Sequence, residues 1–140
     1  MSEHEHYLIP VSEYTTPCPI TVSPETTVAE IISLLKAEGI RHLPVTDVDN
    51  KPIGIISERD INLLAKHVEQ HGVMIAQDVM TPGPYLISPD LPLEKAAFDL
   101  SKYKIGSALV VEKDGTLSGI FTSTDALNAL VEVMRGDIDD

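Results

Sequence analysis

Four apolar residues, Val28, Ile31, Ile32 and Leu35, recur at the i, i+3, i+4, i+7 spacing that gathers side chains on one face of a helix. Thr27, followed three residues later by Glu30, predicts a capping box at the start of that helix, and Gly39 predicts its stop. The period then changes. A short apolar strand is expected at about 42–46, a turn at 47–52 with Asn50 and Pro52 as breakers, a second strand from Ile53 to Ile56, and a second helix from about Glu58 towards His71. Further along, Leu93, Ala96, Ala97 and Leu100 repeat the helical face behind Pro92, a residue tolerated in a first helical turn. Strand, turn and strand recur at Ser107 to Glu112, Lys113-Asp114-Gly115 and Leu117 to Thr122, with Asp-Gly as a hairpin signal. A last helix carries Leu127, Leu130, Val131 and Met134 on one side.

The two halves superimpose with a constant shift of 65 positions and no gap. Thr16-Pro17-Cys18-Pro19-Ile20-Thr21-Val22-Ser23-Pro24 falls on Thr81-Pro82-Gly83-Pro84-Tyr85-Leu86-Ile87-Ser88-Pro89, keeping a threonine, three prolines and a serine in register. Leu35 then meets Leu100, Ile40 meets Ile105, Val45 meets Val110, Gly54-Ile55 meets Gly119-Ile120, and Asp60 meets Asp125. The chain is a tandem duplication. Its expected division is an N-terminal segment at 1–10, a first repeat at 11–71, a link at 72–78, a second repeat at 79–135 and a loose tail at 136–140. One strand pair with two amphipathic helices removes too little apolar area from water to seal a core, whereas two copies facing each other do so. The expected product is an α/β module with pseudo-two-fold symmetry and two equivalent clefts between its halves.

Composition narrows the function. The 140 residues are 43% hydrophobic but only 4% aromatic, with no tryptophan, which disfavours a base-stacking platform for single-stranded nucleic acid. A formal net charge of −12 repels a phosphate backbone, so neither DNA nor RNA is an expected partner. Cys18 is the only cysteine, so no internal disulfide forms, and it reads as a small buried hydrophobe. No apolar run approaches the ~20 residues that span a bilayer, and a cytoplasmic protein is the simplest placement. His4 and His6 read as part of a frayed terminus, and the pair His67 and His71 as a solvated helix face, so no metal site is expected.

The sharpest motif closes the last strand of each repeat: Gly54-Ile55-Ile56-Ser57-Glu58-Arg59-Asp60 and Gly119-Ile120-Phe121-Thr122-Ser123-Thr124-Asp125. Taken alone, Ser/Thr-x-x-Asp before an apolar helix is a capping box that stabilises by about 1 kcal/mol. Its recurrence after the same Gly-Ile strand, with Ser-Pro at 23–24 and 88–89 and the strand Arg41-His42-Leu43-Pro44-Val45, resembles the CBS-domain family from Val11 to Met134.

The resemblance implies a tandem pair of CBS repeats, each β-α-β-β-α, that binds AMP, ADP, ATP or S-adenosylmethionine as a regulatory ligand and signals to a partner protein in trans. It assigns the first site to Ile20, Ile40, Arg41, His42, Ser57 and Asp60, with Arg59 either a second contact or an exposed helix partner, and a second site to Tyr85, Ile105, Thr122, Thr124 and Asp125. An ionised Asp accepts both hydroxyls of a ribose cis-diol, the helix N-terminus and the Ser/Thr hydroxyl favour anionic oxygen, and Arg41, His42 and Arg59 supply positive charge. In the second repeat Gly106 and Ser107 replace Arg41 and His42, leaving Lys102 and Lys104 as the nearby cations. The first site is therefore expected to prefer a phosphorylated ligand. The second is expected to be weaker, empty or suited to a less anionic one.

No nucleophile with an orienting base, phosphate-binding glycine loop, dinucleotide fingerprint or metalloprotease helix motif is present, so no catalytic residue and no enzyme activity is expected. The alternative from another class is a CBS pair that binds no ligand and serves as an oligomerisation or docking adaptor. The family resemblance further implies a homodimer through the helices, for which the apolar residues Leu63-Leu64 and Leu127-Leu130 would serve.

Overall fold

In the computed structural model the described residues are 9–17, 20–71 and 73–139, without the side chains of 65–71 and 137–139. His4, His6 and Cys18, and the side chains of His67 and His71, lie outside them. After a 3₁₀ turn at Val11–Tyr14 the elements run β1 (Thr16–Pro17), α1 (Val28–Glu38), β2 (His42–Thr46), β3 (Pro52–Ser57), α2 (Glu58–His71), α3 (Ala76–Val79), β4 (Thr81–Pro82), β5 (Leu86–Ile87), α4 (Leu93–Tyr103), β6 (Ser107–Val111), β7 (Leu117–Thr122) and α5 (Ser123–Asp139).

Local chemistry accounts for the boundaries. Thr27 Oγ1 accepts the Glu30 N–H at 3.2 Å and opens α1, which Gly39 ends in a left-handed conformation at φ 62°. The duplicate position, Lys104, ends α4 with φ 54°, so a lysine adopts there a conformation that the first repeat gives to glycine. Positive φ also recurs at the paired turn positions Asn50 and Gly115. The segment at 72–78 leads into the helical turn α3, where Ala76 is fully buried and donates its N–H to Thr26 O at 2.8 Å. One expectation is corrected. The tail is helical as far as Asp139, because Gly136 does not take the left-handed conformation that stops α1 at Gly39.

The chain forms two compact units that cut across the sequence repeats. One holds Pro19–Pro84 with Gly115–Leu117; the other holds Met1–Cys18, Tyr85–Asp114 and Ser118–Asp140. In the first, the sheet order is β2-β3-β4, all antiparallel, with Val22 bridging Val45 in parallel. In the second, the order is β1-β7-β6-β5, with β1 antiparallel to β7 and β5 parallel to β6. The leading strand of each repeat is thus the edge strand of the sheet built by the other repeat.

The segment just ahead of each leading strand works the same way. Met74 O accepts from Val28 N at 2.8 Å and Ile75 bridges Thr27, while Ile9 O accepts from Leu93 N at 2.7 Å and Pro10 bridges Pro92. Val11 and Ala76, equivalent under the 65-residue shift, are both fully buried, each in the core of the unit its segment closes.

Core positions repeat too. Val22, Val28, Ile31, Leu35, Leu43, Val45 and Ile56 are buried in one unit, and their counterparts Ile87, Leu93, Ala96, Leu100, Ala108, Val110 and Phe121 in the other. Ile31 and Leu43 become alanines where Ile56 becomes Phe121, and all three replacements share one core cluster, so the larger ring occupies volume the alanines release.

The exchanged strands explain the glycine of each Gly-Ile motif. β4 pairs at the sheet edge with Pro82 opposite Gly54, and β1 with Pro17 opposite Gly119. A Cβ on Gly119 would strike Thr15 Cγ2 and lie 2.8 Å from the Thr16 carbonyl oxygen, whereas one on Gly54 meets only the side chain of Met80. Backbone yields less readily than a methionine side chain. Gly119→Ala is therefore expected to cost about 2–3 kcal/mol and Gly54→Ala about 1 kcal/mol, read as urea unfolding midpoints. Equal losses at the two positions would contradict this account.

Candidate functional site

The antiparallel pairing of β2 and β3 brings the first set of predicted residues together. His42 lies opposite Ser57, and the Glu58 N–H donates to Arg41 O at 2.7 Å, joining the start of β2 to the start of α2. The parallel bridge from Val22 to Val45 returns Ile20 to the same end of the sheet, where Ile20 and Ile40 are half-buried against the core. Arg41, Arg59 and Asp60 are exposed, and His42 and Ser57 half-buried. Ser57 Oγ accepts the Asp60 N–H at 3.1 Å, one half of a capping box. The Asp60 carboxylate itself has no hydrogen-bond or ion-pair partner among the described residues.

Burial, and then the neighbouring Arg41 charge, hold the His42 pKa below its ordinary 6.5. This end of the unit therefore offers a free carboxylate, two exposed guanidinium groups and a neutral imidazole.

The second set is assembled by the same backbone but finished differently. Ser123 N–H donates to Gly106 O at 3.1 Å, and Leu109 N–H to Tyr85 O at 2.8 Å. Ile105 and Tyr85 are half-buried against the core, Thr122 and Asp125 half-buried, and Thr124 exposed. Here both halves of the capping box close: Thr122 Oγ1 accepts the Asp125 N–H at 3.3 Å, and Asp125 Oδ2 accepts the Thr122 N–H at 2.9 Å and its hydroxyl at 3.1 Å. Asp125 Oδ1 also accepts the Thr16 hydroxyl at 3.3 Å. Beside it, Glu13, Tyr14, Asp125, Asn128, Val131 and Glu132 line an acidic recess of about 460 Å³. The Glu132 carboxylate near the Tyr14 hydroxyl, followed by burial, raises the Tyr14 pKa.

Two features escape the motif reading. Thr16 reaches Asp125 from 109 positions away. Tyr85 donates its hydroxyl to Asp99 Oδ2 at 2.5 Å, while Lys95 Nζ donates to Asp99 Oδ1 at 2.8 Å. The Asp99 bond, followed by burial, pushes the Tyr85 pKa up to about 12, and the two donors hold Asp99 below its usual range against desolvation. A signal for this network was present, since Asp99 falls under the 65-residue shift on the apolar Leu34.

The family model for the CBS domain matches residues 11–65 and 76–132. The chain belongs to the CBS-domain family. Inosine-5'-monophosphate dehydrogenase of Korarchaeum cryptofilum is 35% identical over 106 residues, covering 76% of this chain and 21% of that protein. This CBS pair thus spans about a fifth of the dehydrogenase it matches. Among solved structures, CBSX2 in complex with AMP is 30% identical at a TM-score of 0.77, covering 89% of this chain and 98% of that one; CBSX2 is a CBS-pair protein of Arabidopsis thaliana. A CBS domain pair in complex with 5'-methylthioadenosine and S-adenosyl-L-methionine is 28% identical at a TM-score of 0.75, covering 93% and 98%. No helix among the described residues of this CBS protein is long and apolar enough to cross a membrane.

The His42 environment carries a sign. Because its folded pKa lies below 6.5, the unfolded chain binds more protons between those two values, and stability falls as pH drops through that window. Urea midpoints measured from pH 7.5 down to 5 are expected to decline less in His42→Gln than in wild type. A steeper decline in the variant would refute the assignment.

Proposed function

We propose that this chain is a regulatory module that binds an adenine-containing ligand, with its principal site at Ile20, Ile40, Arg41, His42, Ser57, Arg59 and Asp60. The observation that carries this reading is the Asp60 carboxylate, left without a described partner in the first turn of α2, whose Glu58 N–H donates to Arg41 O. A carboxylate whose acceptors are unused is available to a ribose cis-diol, and the adjacent cations and backbone N–H groups suit phosphate oxygens. AMP in a relative 30% identical, and S-adenosylmethionine and methylthioadenosine in one 28% identical, support the adenine assignment. AMP, ADP, ATP and S-adenosylmethionine are the ligands to compare.

The second site, at Tyr85, Ile105, Thr122, Thr124 and Asp125, is the weaker for phosphorylated ligands. Its carboxylate already accepts from Thr122 and Thr16, and no counterpart of Arg41 stands beside it. Regulation then follows by population shift: a ligand biases the conformation it binds better, and a partner protein in trans reads the change, in the cytoplasm. Dimerisation through the helices fits the exposed apolar residues of α5, where Leu127, Leu130 and Met134 are each more than half exposed, and Leu63 on α2.

Thermal unfolding with AMP, ADP, ATP, S-adenosylmethionine and a guanine nucleotide tests the reading. A ligand at 100 times its Kd is expected to stabilise by about 2.7 kcal/mol, and Asp60→Ala to abolish the shift for phosphorylated ligands where Asp125→Ala does not. No shift with any adenine compound would favour a ligand-free docking adaptor. Light scattering is expected to give twice the monomer mass of 15.2 kDa, falling to the monomer in Leu127→Glu/Leu130→Glu. A monomeric wild type removes the dimer from the proposal.

A further inference from the structure

Asp99 is the one fully buried carboxylate among the described residues, at 1% exposure. Burying a charge is costly even when it is paired, and an apolar replacement of similar volume is often equal or better for stability. The duplicate demonstrates that replacement: Leu34 stands at the equivalent position, and Ile20 where Tyr85 stands. The network of Tyr85, Asp99 and Lys95 is therefore not required to build this fold. What it does accomplish is to fix one ring. The Tyr85 hydroxyl is held by Asp99, its ring meets Tyr103 at 5.7 Å between centroids with a 53° tilt, and its carbonyl is held by Leu109. With its hydroxyl committed to Asp99, the half-buried Tyr85 ring is held in one orientation and has no free donor.

We propose that Asp99 is the positioning residue of the second site, holding the Tyr85 ring as a platform for a purine base, and that this site selects adenosine-type ligands by base and ribose without regard to phosphate. The chemistry around it agrees. A locked aromatic ring stacks on a base at little entropic cost, Asp125 suits a ribose, and Gly106 and Ser107 supply no cation where Arg41 and His42 stand in the first repeat. Glu13 and Glu132 beside Asp125 further disfavour phosphate. The inference rests on the adenine-binding reading above, with Tyr85 in the second site.

Calorimetric titration of adenosine, AMP and ATP into the full chain carrying Asp60→Ala, which silences the first site, tests it. Adenosine and AMP are expected to bind with Kd values within about threefold of each other. Adding Asp99→Leu is expected to weaken adenosine by about tenfold or more, the scale of a lost base–aromatic stack, while Asp99→Asn, which keeps an acceptor for the Tyr85 hydroxyl, restores most of the affinity. If Asp99→Leu does not fold, the Tyr85→Ile/Asp99→Leu pair, which reproduces the Ile20 and Leu34 combination of the first repeat, is expected to fold and to lose adenosine at the second site.

Adenosine binding that is indifferent to Asp99→Leu, or AMP binding more than about tenfold tighter than adenosine, overturns the inference. Binding by wild type that disappears entirely in Asp60→Ala overturns it too, while leaving the first site standing. A wild type that binds no adenine compound overturns both.

Discussion

Everything in this molecule depends on the close pairing of two short edge strands against two glycines. β1 pairs opposite Gly119 and β4 opposite Gly54, and each belongs by sequence to the repeat that did not build the sheet it completes. Because the paired backbone lies within 2.8 Å of where a side chain on Gly119 would begin, the second motif is held to glycine by backbone, whereas Gly54 is held only by the Met80 side chain. The strand leaving that glycine leads directly into Ser57 or Thr122 and then Asp60 or Asp125. A constraint of packing thus sets the position of the residues available for chemistry.

Much of this was legible in the sequence. Helical periodicity located α1 and α4, the constant 65-residue shift exposed the duplication, and Ser57-x-x-Asp60 and its counterpart pointed to the helix starts. The exchange of leading strands was not legible, and could not be: an alternating pattern records which face of a strand is buried but not which of two nearly identical sheets it joins. The same blindness hid Thr16 behind Asp125. Its hydroxyl reaches that carboxylate only because β1 belongs to the unit built by the second repeat, which also holds Asp125. The Asp99 network was different in kind, since a charged residue aligned with Leu34 announced itself to anyone comparing the repeats position by position.

Duplication therefore left two scaffolds with one backbone logic and divergent surfaces. The Glu58 to Arg41 and Ser123 to Gly106 hydrogen bonds are counterparts, at 2.7 and 3.1 Å, and seven core positions are buried in both units. Around this common frame the first unit keeps cations and, in Asp60, a carboxylate with no partner among the described residues. The second replaces the cations by Gly106 and Ser107, engages Asp125 internally, and places a charge inside its core. Electrostatics has diverged both at the surface and, through Asp99, in the core, while the buried positions have kept their places by exchanging volume among themselves.

The exchange of strands also orders events during synthesis. The sheet of β2, β3 and β4 has all its strands once residue 82 has emerged from the ribosome, but Thr16 pairs with Ile120, 104 positions later. At translation rates of roughly 5–20 residues per second, the N-terminal segment waits on the order of 5–20 s for its sheet to exist. During that interval Val11, destined for complete burial, has no core to enter. Premature association therefore threatens the segment around Val11 and β1 longest, and a chaperone would have its longest opportunity there.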